Sequence, residues 1–157
     1  MRIIVISDSH GRSSAIQQAI NAQPSAKHVF FLGDVLSDIE DFEHFFPDRI
    51  LHAVRGNCDF YACAPTQGLV TLGGKKILFT HGHEQGVKGG TSSLLSYAKS
   101  LGADIALYGH THTACTEYRD GIYLVNPGSV SRPRQGKCSY AVLDIVNQQV
   151  MPIIVTL

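Results

Sequence analysis

Arg2-Ile3-Ile4-Val5-Ile6-Ser7-Asp8-Ser9-His10-Gly11 decides the reading of this chain. Arg2 to Ile6 is a continuous run of β-branched apolar residues, the pattern of a strand buried on both faces rather than one. It ends abruptly in a polar turn that carries a carboxylate and an imidazole two residues apart. A buried strand followed by a chemically loaded turn is the signature of an α/β sheet whose ligands gather at the carboxyl ends of its strands.

The same grammar repeats downstream. Ser13 to Ala22 has Ala15, Ile16, Ala19 and Ile20 on one helical face, and Pro24 closes it. His28 to Leu32 reads as a second strand ending in Gly33-Asp34. Ser37 to Phe46 reads as a short helix stopped by Pro47. Ile50 to Val54 is a third strand ending in Arg55-Gly56-Asn57-Cys58-Asp59. The pattern then changes. Leu69 to Leu72 and Lys76 to Thr80 flank Gly73-Gly74, a hairpin signal, and the second strand runs into His81-Gly82-His83. The Gly-rich loop Gly86 to Gly90 leads into a helix over Ser92 to Leu101. Ile105 to Tyr108 ends in Gly109-His110-Thr111-His112. Strands near Thr116, at Ile122 to Val125, at Tyr140 to Val146 and at Val150 to Thr156 complete the chain. A β-α-β-α-β half followed by hairpins predicts an α/β fold, a four-layer sandwich of two mixed β-sheets flanked by helices. With no repeat or linker, residues 1–157 are expected to form one domain.

Composition sets bounds on function. Lys plus Arg and Asp plus Glu both number 13, so the formal charge is zero, and no basic excess is available to grip long nucleic acid. The Arg2 to Ile6 run is too short for a signal core or a membrane span, so a cytoplasmic protein is expected. Cys58, Cys63, Cys115 and Cys138 form no CxxC pair and are expected as free thiols; a Cys58–Cys63 bridge and a thiolate zinc site are disfavoured.

Polar clusters end five strands: Asp8-Ser9-His10, Gly33-Asp34, Gly56-Asn57, His81 and Gly109-His110-Thr111-His112. Taken singly they are mundane, since Asp8 would cap a helix, Gly33-Asp34 and Gly56-Asn57 would be turns, and His81 a surface histidine. Taken together, two Asp, one Asn and four His can fill the protein side of two divalent-metal shells. Glycine before Asp34, Asn57 and His110 permits close backbone approach or unusual dihedrals. His28, His44 and His52 lie among ordinary core and helix residues and are read as having no role in the site.

The series DxH, GD, GN, H, GHTH, with Asn126-Pro127-Gly128-Ser129 near the end, resembles the calcineurin-like metallophosphoesterase superfamily, and the length and the GNCD form resemble its small YfcE-type phosphodiesterase branch. The resemblance spans Ile3 to Leu157. It implies that Asp8, His10 and His112 hold one divalent ion, that Asn57, His81 and His110 hold a second, and that Asp34 bridges them with a shared water or hydroxide. It also implies a phosphodiesterase that hydrolyses its ester by attack of that hydroxide, with Mn²⁺ as the ion and Fe, Zn, Ni or Co as alternatives. Two M²⁺ ions less two Asp and a hydroxide leave about one positive charge, which suits a phosphodiester monoanion slightly better than a monoester dianion.

Three features are specific to this chain. Larger enzymes of the superfamily carry GNH(D/E), whose His is held to protonate the leaving group; here Cys58 stands there, a poor general acid beside imidazole. His83 could supply that proton or touch the phosphate, or be a solvated loop histidine. Arg55, Arg132 and Arg134 are candidate phosphate contacts, and Asn126-Pro127-Gly128-Ser129 reads as a turn supporting the metal loops. The expected partner is a small phosphodiester or phosphomonoester, with no long nucleic acid and no membrane; proteins of this branch are often homodimers. The competing readings are a phosphomonoesterase or nucleotidase on the same site, or a protein-binding scaffold like the retromer subunit that shares this fold but has lost metal-site histidines.

Overall fold

A computed structural model describes all 157 residues. The first sheet contains β1 (Arg2–Ile6), β2 (His28–Phe31), β3 (Ile50–Ala53), β9 (Ser139–Val146) and β10 (Gln149–Thr156), in the order β10-β9-β1-β2-β3. The second contains β4 (Gln67–Leu72), β5 (Lys75–Thr80), β6 (Ile105–Leu107), β7 (Cys115–Arg119) and β8 (Ile122–Asn126), in the order β4-β5-β6-β8-β7. Both sheets are mixed. β1, β2 and β3 run parallel, as do β5, β6 and β8, while the remaining strands pair antiparallel. Helix α1 (Ser13–Asn21), the single-turn helix α2 (Phe42–Phe45), helix α3 (Ser92–Ser100) and two short 3₁₀ turns (Leu36–Ile39 and Val87–Gly89) complete the elements.

The continuous apolar strands are explained by their two covered faces. Ile3, Val5, Phe30 and Leu32 meet Ile77, Phe79, Ile105 and Leu107 in a core between the sheets. The alternate residues Ile4, Ile6, Val29 and Phe31 turn outward onto Ile16 and Ile20 of α1 and Phe42 of α2. On the far side, Leu78, Ala106 and Leu124 pack against Leu94, Leu95 and Ala98 of α3. Three apolar layers therefore separate four layers of structure, with each buried Ile, Leu or Phe contributing about 1.5–3 kcal/mol. The hairpin turn Gly73-Gly74 has both residues at positive φ (57° and 77°), which only glycine adopts without strain.

One expected helix is divided. In place of a helix over Ser37 to Phe46 there is a 3₁₀ turn at Leu36–Ile39, then α2. The first turn is held from outside: Asp59 Oδ1 accepts the Val35 and Leu36 N–H groups, and the Asp38 carboxylate accepts Ser9 Oγ–H and Gly11 N–H. These bonds fix the tighter geometry that the sequence periodicity did not reveal. All four cysteines are free. No helix is long and apolar enough to cross a membrane.

Candidate metal centre

The parallel strands of both sheets deliver their carboxyl ends to one edge, and the loops that follow bring all seven sequence-identified residues together. Asp8 and His10 follow β1, Asp34 follows β2, Asn57 follows β3, His81 follows β5, and His110 and His112 follow β6. Asp8, Asp34 and His81 are buried, whereas His10, Asn57, His110 and His112 are half-buried at the mouth.

Two groups of atoms converge. In one, His112 Nε2 lies 3.2 Å from both Asp8 Oδ1 and His10 Nε2, and a donor atom from each of Asp8, His10, Asp34 and His112 lies within 4.8 Å of the others. In the other, His81 Nε2 lies 3.1 Å from Asn57 Oδ1 and 3.2 Å from His110 Nδ1. Asp34 stands between them: one oxygen is 3.8 Å from His10 Nε2, the other 3.5 Å from His81 Nε2.

These atoms face one another as acceptors. His81 Nδ1 donates to the Leu32 carbonyl at 2.7 Å and His112 Nδ1 donates to the Arg132 carbonyl at 2.7 Å. In each neutral ring that leaves Nε2 without a hydrogen, a bare lone pair directed into the cluster. Asp8 Oδ1 is buried and receives no well-formed hydrogen bond, although His112 Nε2 is close. A cation between them would satisfy these converging lone pairs and the unpartnered buried carboxylate oxygen. The donor set of imidazole nitrogens, carboxylates and one amide oxygen suits a borderline divalent metal. The residues fit.

The electrostatics favour neutral rings at two of the four histidines. Burial and the neighbouring His81 push His110 down to about 4, and burial likewise lowers His10, so both rings are neutral and ready to ligate near pH 7. His112 is shifted up by its contact with Asp8. Burial works to raise the Asp8 pKa, but His112 and His81 outweigh it and the net shift is downward.

The loops hold unusual conformations. Asp8, His10, Asp34, His110 and His112 all have φ between 44° and 67°, left-handed backbone that costs on the order of 1–3 kcal/mol per residue and that surrounding structure must enforce. The enforcement is visible. A Cβ on Gly109 would strike Ser7 Oγ and come within 2.9 Å of Asp8 Oδ2, and one on Gly56 would strike the Asp34 carboxylate. Asn126 Nδ2 donates to the Gly109 carbonyl and to Thr111 Oγ1, and Ser129 Oγ–H donates to the Asp8 carbonyl. Asn126-Pro127-Gly128-Ser129 is thus a brace between the β1 and β6 loops.

The strongest tie was not read from the sequence. Asp59, buried, accepts four backbone N–H groups: Asp34 and Gly56 on Oδ2, Val35 and Leu36 on Oδ1, at 2.7–3.0 Å. It locks the Asp34 loop to the Asn57 loop. A carboxylate two residues beyond Asn57 in a glycine turn was the available signal.

The remaining candidates flank the cluster. The His83 ring centre is 5.4 Å from that of His81 and 6.0 Å from that of His110; its Nδ1 is buried without a partner, and burial lowers its pKa. Cys58 is exposed beside the cluster, its thiol pushed up to about 11 by burial and by the nearby Asp34 carboxylate. Arg55, Arg132 and Arg134 make no ion pair, and the Arg132–Arg134 loop is docked on His112 through the Arg134 N–H to His112 carbonyl bond. His28 and His52 lie elsewhere, paired at 3.0 Å with His52 stacked on Phe30.

Comparison with known proteins agrees with this geometry. Residues 1–148 match the model of the calcineurin-like phosphoesterase superfamily domain. The chain is 36% identical to the probable metallophosphoesterase YsnB of Bacillus subtilis, over 94% of this chain and 86% of that protein. It is 33% identical to phosphodiesterase YfcE of Escherichia coli, over 92% and 88%. A crystal structure of a conserved uncharacterized protein and predicted phosphoesterase from Streptococcus pneumoniae superposes with a TM-score of 0.85 at 33% identity, covering 99% of this chain and 88% of that one. A relative of different name, vacuolar protein sorting-associated protein 29 of Schizosaccharomyces pombe, is 31% identical over 83% of this chain and 73% of its own length. Strand-end chemistry, fold and relatives lead to one conclusion: the chain belongs to the calcineurin-like phosphoesterase superfamily and is a metal-dependent phosphoric ester hydrolase.

Proposed function

We propose that the chain is a dinuclear phosphodiesterase. Asp8, His10 and His112 would hold one divalent ion, Asn57, His81 and His110 the other, and Asp34 both. The observation that carries this reading is the pair of convergent acceptor groups with Asp34 oxygens directed at each. Bound there, two divalent ions supply activated water at neutral pH and charge stabilisation for the phosphoryl oxygens. Mn²⁺ is the proposed ion.

The chain's own residues do the rest. Leu32 and Arg132 carbonyls fix the tautomers and ring planes of His81 and His112. Arg55, Arg132 and Arg134, all without acidic partners, offer charge to a phosphate. Cys58, a thiol with weak hydrogen bonding, is a poor general acid beside imidazole. His83, whose ring stands beside those of His81 and His110, is the imidazole that could carry a proton to the leaving oxygen when protonated. A poor acid and an approximately monocationic centre favour diesters with stable leaving groups over monoesters.

The relative named for vacuolar protein sorting motivates a second reading, a protein-binding scaffold on the same fold. All seven candidate ligands are present in this chain, which favours catalysis. Turnover of a chromogenic diester and the matching monoester, with a chelator and then with added Mn²⁺, tests both. Chelator-sensitive diester cleavage restored by Mn²⁺ is expected. Metal-loaded protein that cleaves neither would leave the scaffold.

A further inference from the structure

A groove of about 520 Å³ opens beside the candidate metal centre, lined among others by Val35, Leu36, Glu40, Cys58, Phe60 and Tyr61. Cys58, on its wall, has its Sγ 3.5 Å from Asn57 Nδ2, so the groove borders the site. Three features set it apart. Phe60 and Tyr61 are 80% and 98% exposed, a degree of aromatic exposure found nowhere else in this protein. Val35 sits at φ 79°, a conformation that is an outlier for a β-branched residue and marks backbone held for a purpose. The floor is rigid, because Asp59 pins the N–H groups of Val35 and Leu36.

We propose that this groove seats a planar aromatic ring carried on an ester arm of the substrate, an aryl or nucleoside group, and that Val35, Phe60 and Tyr61 set which diesters are cut. The inference rests on the phosphodiesterase reading and deepens it. Two exposed rings offer faces for stacking. The volume falls in the range of small-molecule sites. The Glu40 carboxylate on the wall offers an acceptor for an exocyclic amine, which separates a nucleobase from a plain phenyl ring. A second copy of the chain is a poorer occupant: two aromatic side chains bury about 150–250 Å² each, short of the ~800 Å² per partner of a stable interface.

The test is calorimetric binding to the Mn²⁺-loaded protein of methylphosphonate, phenylphosphonate and adenosine 5′-phosphonate, beside turnover of methyl p-nitrophenyl phosphate. The two aromatic ligands should bind about 5–50-fold more tightly than methylphosphonate, the range that ring stacking supplies. The Phe60→Ala and Tyr61→Ala substitutions, alone and combined, should collapse that ratio towards one. Tighter binding of the nucleoside than the phenyl ligand, reduced by Glu40→Gln, would assign the groove to nucleobases; equal binding would assign it to aryl esters. Intact turnover with no preference for the aromatic phosphonates in binding, or a binding preference that survives both substitutions, overturns the groove alone. Absence of both turnover and phosphonate binding overturns the diesterase reading and the groove with it. A change confined to sedimentation behaviour in the variants would give the surface to a second copy and overturn the proposal.

Discussion

Asp34 and Cys58 are one residue pair read in two directions: the Cys58 N–H donates to Asp34 Oδ1 at 2.9 Å, yet one is a candidate bridge and the other a missing acid. Asp34→Asn halves the charge available to two ions, and metal content and activity should fall together. Changes one layer further out already cost 10–100-fold, so a loss of at least about 100-fold is expected, read by metal analysis and initial rates. Full activity in this variant would dismiss Asp34 as a bridge. With a thiol at this position in place of an imidazole, leaving-group departure should depend on the leaving group itself. Cys58→His, with metal content verified, should therefore speed an alkyl diester by a larger factor than a nitrophenyl diester, up to the roughly 10²–10⁴-fold of a positioned acid. Equal factors for the two would move the proton to His83 or water. The seven candidate ligands were legible in the sequence because each follows a strand. Asp59 was not, because its role lies in four backbone N–H groups that the sequence does not display.

Among the elements, the loop after β2 holds left-handed Asp34 and Val35, and one buried carboxylate in the loop after β3 accepts both of their N–H groups. Asp59→Asn replaces an acceptor-only group by one that must turn an N–H₂ towards at least one N–H. A loss of about 1–3 kcal/mol is expected from an unsatisfied buried donor, with metal affinity down about 10–100-fold. Thermal unfolding and metal titration of the variant check it; an unchanged midpoint would show that Asp59 is dispensable. The strands were readable because apolar continuity reports burial on two faces. The helix expected over Ser37 to Phe46 was not, because its first turn obeys Asp59 and the Asp38 contacts rather than its own periodicity.

Over the whole molecule, stability should depend on pH in part through a pair outside the metal centre, alongside the likewise lowered His10, His83 and His110. His28 and His52 share a 3.0 Å contact, and burial holds both below their ordinary 6.5. The unfolded chain then takes up protons at a higher pH than the folded one, so stability is full above that value and falls as pH drops below it. His52→Phe should flatten the decline in unfolding midpoint between pH 7.5 and pH 5 in chelator-treated protein. A slope as steep as in the parent chain would assign the acid sensitivity to other groups. The four-layer architecture was legible from strand pattern and order, whereas the pairing of β9 onto β1 joins residues more than a hundred apart and has no local signal.

Two ions held by seven residues define the proposed centre, and metal stoichiometry measured together with activity decides whether it exists. Protein stripped with chelator and reloaded with Mn²⁺ should bind two ions per chain, and diester turnover should rise to its full value only as the second binds. His81→Ala should reduce the count to one and abolish most of the activity. Full turnover at one ion per chain, or unchanged stoichiometry in that variant, would contradict the dinuclear centre.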